Sequence, residues 1–423
     1  MSISAETFSI SKSRRYIYAG IIGNILEHYD TALFGLLAPF LAPLFFPTFD
    51  PLNALILTYA ILPLDILSKP LGSLVFGHIG DRLGRKQALS LSIIGTAVMT
   101  GLMGCIPTYH EAGIYAVFIL TAVRILQKMC AAGECIGGAI FILEHHEKDN
   151  KGFLGSLYSC STVLGILLAS AMINCFDTFG LIHSHWRWLF WAGFVTSGIG
   201  LYVRYQTQES PEFLRQENLP SYTKGFISTW EVLKKYRKEF LAIAAVSGFS
   251  YSIYEMALVF LNGYLPLVSD VSSSKIMGLN TLLLGLDMAI LPVFGWISDK
   301  QNAAKHMFYA SLASFAAAIP LLALCDHASY LQLLFVRTCW VILGVWFCAP
   351  FHAWSQDLIP VRHRYTIISL GYAIGSQLIG APAASIGFWL YKHTQVVYAP
   401  AYYIMFAALL AMIGLYSKRP WKV

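Results

Sequence analysis

Twelve apolar windows follow one another along the chain, at about 16–46, 53–76, 88–106, 114–141, 153–178, 187–205, 240–268, 276–297, 306–325, 330–354, 366–390 and 399–416. Each has the length a helix needs to cross the hydrocarbon of a bilayer. Glycine and proline recur inside them, as membrane helices tolerate when neighbouring helices satisfy the freed backbone groups. The pattern predicts an all-α integral membrane protein with twelve transmembrane helices and both termini on one side. The polar stretch 206–239 is the longest interruption and separates six windows from six. It divides the chain into an N-terminal six-helix bundle (1–205), a connecting loop (206–239) and a C-terminal six-helix bundle (240–423). Within the connector, Phe226 to Leu233 has the make-up of an amphipathic helix lying on a membrane surface.

Composition agrees with the windows. The 423 residues are 57% hydrophobic and 12% charged, about half the charged share of an ordinary soluble domain. The net charge of +6 is spread over the loops rather than gathered in one patch, which argues against nucleic acid as a partner. Lysine and arginine then set the orientation. Arg187, Lys275 and Lys392 fall on one side, Lys69, Arg124, Lys128 and Arg337 lie within spans, and the other 22 of the 29 fall on the side of the N terminus. That side is therefore read as cytoplasmic. Eight cysteines lie in or beside apolar runs without metal-ligand spacing, and His145-His146 and His183/His185 sit in loops, so no metal is expected.

The turn between the second and third windows is Gly77-His78-Ile79-Gly80-Asp81-Arg82-Leu83-Gly84-Arg85-Lys86, too highly charged to lie in hydrocarbon. It echoes 218 residues later as Gly295-Trp296-Ile297-Ser298-Asp299-Lys300. Arg124, Glu144, Lys151 and Ser156 recur 213 residues later as Arg337, Asp357, Arg364 and Ser369. Two nearly equal offsets point to a duplicated six-helix unit.

The pattern G-x-x-x-D-R-x-G-R-K resembles the signature loop between helices 2 and 3 of major facilitator superfamily transporters. Asn24-Ile25-Leu26-Glu27-His28-Tyr29-Asp30, Lys69-Pro70-Leu71-Gly72, Gly133-Glu134-Cys135-Ile136-Gly137-Gly138, Glu209-Ser210-Pro211-Glu212-Phe213 and Pro400-Ala401-Tyr402-Tyr403 are similar, in order, to segments of the metabolite:proton symporters, among them the proline/betaine transporters. The resemblance implies the major facilitator fold, two pseudo-symmetric six-helix bundles around a central cavity, in a multi-pass protein of the cell's inner membrane. It also implies proton-coupled symport of a small organic solute. Three positions depart from the family pattern: His28 replaces an aromatic residue, Lys69 an arginine, and Lys128 a glycine. By the same resemblance Gly77, Asp81, Arg82, Gly84, Arg85 and Lys86, with Glu134 and Asp299, belong to contacts that gate the transport cycle.

Charge inside a bilayer costs about 2.5–3.5 kcal/mol per residue on insertion scales, so each such residue calls for a reason. Glu27 and Asp30 stand three apart on one helix face. As a proton-accepting pair they would couple transport to protons; as hydrogen-bond anchors they would only hold helices together. Arg124, Gln127 and Lys128 share a face of the fourth helix, and Lys69 lies on the second, where it can neutralise Asp65. Fixed positive charge there suits the carboxylate of an anionic or zwitterionic solute; the competing reading pairs Arg124 with Glu27 or Asp30. In the second half Glu255 is an isolated acid in an apolar run, and Tyr254 beside it could supply a hydrogen bond or, to a quaternary ammonium, a cation–π contact; the competing reading makes the tyrosine an interfacial or packing residue. No nucleotide-binding loop occurs, so no cofactor is expected beyond the proton as coupling ion. The expected partners are a small organic solute (a carboxylate, or a zwitterion such as an osmoprotectant betaine), protons and lipid. A transporter-like sensor that binds its solute without moving it is the alternative. An enzyme would need a cluster of nucleophile and base, which the sequence does not offer.

Overall fold

The computed structural model describes residues 2–47, 65–146, 148–217 and 229–416. The first part of the second window, the side chain of Asp65 and the Phe226–Ser228 part of the amphipathic segment lie outside the described residues. Among those described, twelve long helical segments follow in order. They are α1 (Ser2–Phe45), α2 (Asp65–Arg82), α3 (Arg85–Met103), α4 (Ile114–Glu144), α5 (Lys151–Thr178) and α6 (Ile182–Tyr205), then α7 (Arg237–Tyr254), α8 (Ser273–Asp299), α9 (Ala303–Ala323), α10 (Tyr330–Cys348), α11 (Val361–Gly375) and α12 (Ala401–Tyr416). Helix α7 runs on through a π-helical stretch, Glu255–Phe260, into Leu261–Val268, and α11 through Ser376–Gly380 into Ala383–Thr394. Seven of the segments are long and apolar enough to cross a membrane on length and composition alone. The short helix Thr229–Lys235 ends the connector.

Two compact units emerge. The first comprises 1–146, 161–224 and 361–370; the second comprises 147–160, 225–360 and 371–423. The opening turns of α5 thus belong with the second unit, and those of α11 with the first.

The core of the first unit follows from a four-residue spacing along α1. Leu33, Leu37, Leu41 and Phe45 form one buried stripe, packed with Met103 of α3, Leu120 of α4, Ala169 of α5 and Phe190 of α6. In the second unit Leu283 and Leu291 of α8 pack on Val341 and Val345 of α10. Large apolar side chains such as Phe118, Val195, Leu331, Phe335 and Leu409 stay exposed. In water they would be a liability, but lipid solvates them at no cost.

Candidate functional site

Unit one closes the Gly77–Lys86 turn with a dense set of polar contacts. Gly84 stands at φ 104°, the left-handed region open to glycine, and begins α3. A side chain there would strike the Glu209 carboxylate. Glu209 accepts the backbone N–H of Arg85 at 2.9 Å and of Lys86 at 3.0 Å. Burial raises the Glu209 carboxyl above its usual range, against the pull of those N–H groups. Lys86 donates from Nζ to the carbonyls of Thr207 (2.7 Å) and Tyr205 (3.2 Å). Arg85 is fully buried; it bonds Glu144 at 2.9 and 3.2 Å, the Gly80 carbonyl at 2.7 Å and the Val361 carbonyl, and lies 5.1 Å over the Phe213 ring. Glu144 also holds Arg364 at 2.8 Å and Ser210, while Arg364 reaches Glu212 at 2.6 Å.

Asp81 completes this set. It receives the N–H groups of Tyr365 at 3.0 Å and Thr366 at 2.9 Å. In a regular helix the Tyr365 N–H points at the Val361 carbonyl; here Asp81 also receives that N–H, and Arg85 also donates to that carbonyl. Gly77 and Gly80 make the approach possible, because a Cβ on either would meet Thr366 or the Tyr365 ring. Tyr365 in turn donates to the Gly133 carbonyl at 2.6 Å. Arg82 ends α2 half-buried beside these residues.

Deeper in unit one a polar row crosses α1, α2, α4 and α6. His28 Nδ1 lies 2.6 Å from Glu27 Oε2. Lys128 and Lys69 are near enough to Glu27 to act on it electrostatically. The close approach of Gly72 to the Met129 backbone places α2 against α4 and brings their lysines to the same level. One turn further along α1, Asp30 is buried and accepts from Ser197 at 3.2 Å. Arg124 is buried as well: it donates to Gln127 at 2.8 Å and to the Thr31 carbonyl at 3.2 Å, with Phe34 4.8 Å beneath it. Gln127 passes the chain on to Thr100 at 2.8 Å. Glu134 pairs with Arg204 at 2.6 Å, both buried.

In unit two the echoed elements recur with sparser bonding. Asp299 caps α5, accepting the N–H groups of Gly152 (2.6 Å) and Phe153 (2.8 Å). Lys151 bonds Asp357 at 3.0 Å, where Asp357 is 67% exposed. Tyr254 donates to Asp287 at 2.8 Å. Glu255 opens the π-helical stretch of α7. Arg337 donates to the carbonyls of Ile276 (3.0 Å) and Ala257 (3.2 Å) and to Asn280 at 2.6 Å. It satisfies backbone groups near that irregular stretch, the duty its counterpart Arg124 performs at Thr31.

The structure brings together Glu27, Lys69 and Lys128, and separately Arg124 with Gln127. Arg124 donates to Gln127 and the Thr31 carbonyl, while Glu27 lies against His28 and Asp30 accepts from Ser197. Tyr254 is bound to Asp287, a partner the sequence left unassigned. Arg204, Glu144, Arg364, Glu209 and Glu212 were missed as site residues: Arg204 read as a topology charge, Glu144 and Arg364 as echoed positions, and Glu209 and Glu212 as part of a family-like segment. The echo of Glu144 and Arg364 in Asp357 and Lys151 was the clue that such acid–base pairs meet.

The family model of the Major Facilitator Superfamily matches residues 20–384. The chain belongs to this superfamily. Among its relatives, the proline/betaine transporter of Salmonella typhimurium is 27% identical over 423 residues, covering 95% of this chain and 82% of the relative. The glycine betaine/proline/ectoine/pipecolic acid transporter OusA of Dickeya dadantii is 28% identical, covering 96% and 83%. Among solved structures, the proton:xylose symporter XylE bound to 6-bromo-6-deoxy-D-glucose aligns at a TM-score of 0.68 and 16% identity, over 97% of each chain. The transporter FucP in its outward conformation aligns at 0.69 and 13% identity, over 95% of this chain and 99% of that one. At such identities these structures speak for the fold. This member of the superfamily is thus a multi-pass membrane transporter with the major facilitator fold, twelve transmembrane helices in two pseudo-symmetric six-helix bundles.

Proposed function

We propose that the protein is a proton-coupled symporter of a small organic solute, operating by alternating access in the bacterial inner membrane with both termini in the cytoplasm. The division of labour follows the expected halves, 1–205 and 240–423, joined by the 206–239 connector. The observation that carries this reading is the set of ionisable groups within the apolar helices of unit one, where Glu27 and His28 stand 2.6 Å apart with Lys69 and Lys128 acting on Glu27, and where Arg124 bonds Gln127. Ionisable groups persist in apolar helices where they face a solute or ion path. Lys69, Lys128, Arg124 and Gln127 would receive a carboxylate, replacing its lost hydration with charge-assisted hydrogen bonds. Glu27 and Asp30 would take up and release the coupling proton. Tyr254 and Glu255 would be the solute-binding residues of the second half. Gly77, Asp81, Arg82, Gly84, Arg85, Lys86, Glu134 and Asp299 would gate access through contacts that break and reform. The relatives' names favour a zwitterion such as proline or a betaine; the extra lysine at position 128 favours a carboxylate in the solute.

Uptake of labelled proline, glycine betaine and dicarboxylates into proteoliposomes, with and without an imposed inward proton gradient, tests the proposal. Gradient-driven accumulation of one class is the expected result. Binding without accumulation would transfer the protein to the sensor alternative.

A further inference from the structure

We propose that Asp287 is a second proton-binding site, in unit two, with Tyr254 as its hydrogen-bond partner. Asp287 lies midway along the 27-residue α8 and is fully buried. Its Oδ1 accepts the Tyr254 hydroxyl at 2.8 Å, and its Oδ2 is buried with no hydrogen-bond partner among the described residues.

The surroundings decide its charge. Among the described residues, titratable groups close enough to interact with it are Tyr254 from α7, Cys160 from α5 and Cys348 from α10. Cys160 donates to the Met288 carbonyl at 3.5 Å and Cys348 lies 3.0 Å from Ser250 Oγ. The helices that carry these groups share an apolar cluster, to which Leu286 and Ile290 on the same helix as Asp287, Leu258 of the extended α7, Val341 and Val345 of α10 and Cys160 itself belong. Among the described residues no lysine, arginine or histidine forms an ion pair with Asp287. An ionised carboxylate in such a place would be buried without compensation, at a cost far above that of its neutral form. Asp287 therefore holds a proton here, on the oxygen that has no partner, and the Tyr254 hydroxyl bonds the other oxygen. When water reaches the pair the acid can ionise: the O–H bond breaks, the proton leaves to water, and the carboxylate keeps the Tyr254 hydrogen bond.

This contrasts with Glu27, whose neighbours His28, Lys69 and Lys128 can hold it ionised. A proton carried by Asp287 gives the second half its own share in coupling. That consequence rests on the symport reading; the protonation does not.

Infrared difference spectroscopy of the purified wild type between neutral and alkaline pH tests the site without transport. A protonated-carboxyl C=O band that shifts on exchange into heavy water is expected. Asp287→Asn should lose one component of it, and Tyr254→Phe should keep that component but move its frequency. Asp287→Glu serves where the asparagine variant does not fold, and should retain the band at a shifted position. In proteoliposomes, Asp287→Asn should lose stimulation by the proton gradient while counterflow exchange persists. An acid band unchanged in Asp287→Asn, or unmoved in both Tyr254→Phe and Asp287→Glu, would overturn the proposal. A wild type indifferent to the gradient would defeat the symport reading alone, and the band would still judge Asp287.

Discussion

The pair Glu144–Arg364 in unit one and the pair Asp357–Lys151 in unit two occupy echoed positions in the duplicated sequence and have opposite fates. Glu144 is buried and accepts from Arg85, Arg364 and Ser210. Asp357 is largely exposed and bonds Lys151 alone among the described residues. The acids that end α2 and α8 differ in the same sense. Asp81 reaches two N–H groups in the second turn of α11 and keeps Arg85 3.5 Å away, whereas Asp299 caps the first turn of α5. The cause lies in one position. The offset of 218 residues sets Ala303 opposite Arg85, so at that position unit two has a methyl group where unit one has a guanidinium. A single buried arginine converts a helix cap into a many-membered cluster, which costs more to open and has more ways to be regulated.

Removing that arginine should have the largest effect. Arg85→Ala takes from buried Glu144 one of its two guanidinium partners, leaving Arg364 and Ser210, and breaking a buried ion pair costs up to about 3–5 kcal/mol. Thermal unfolding of the purified protein should report a pronounced drop in its midpoint; a wild-type midpoint would show that the cluster contributes nothing net. The acids come next. Asp81→Asn weakens charge-assisted hydrogen bonds worth about 2 kcal/mol, while Asp299→Asn loses a helix-terminal charge worth about 1 kcal/mol. The first variant should unfold earlier than the second and show the slower counterflow, and equal losses would dissolve the distinction drawn here. Lys151→Ala should do least, under about 1 kcal/mol, because its partner is exposed. A loss as large as that of Arg85→Ala would mean the second pair is not the weak one.

Much of this was legible in the chain. Twelve windows, the charged turn and the offset echoes were enough for the fold, because lipid leaves helices no other way to satisfy their backbone. The positions of Glu27, Asp30, Lys69, Arg124 and Lys128 within apolar runs marked them for attention. Their partners were not legible. Which oxygen accepts from which donor depends on helix rotation, so the pairing of Arg124 with Gln127 and the Thr31 carbonyl was hidden. So was the link from Tyr254 to Asp287, 33 residues apart and on different helices. The π-helical stretches of α7 and α11 were hidden as well, since Glu255–Phe260 and Ser376–Gly380 carry no local marker that separates them from ordinary helix.

What Asp81 and Asp299 grip is peptide backbone: the amides of residues 365 and 366 in one case, of 152 and 153 in the other. Amides are common to every residue but proline, so the grip itself does not dictate side-chain identity; where identity is fixed the reason is separate, as at Tyr365, whose hydroxyl holds the Gly133 carbonyl, and Gly152, where a Cβ would meet the Gly295 carbonyl. The latches are therefore best sought in a new sequence through the carboxylate that does the gripping, and not through the segment it grips.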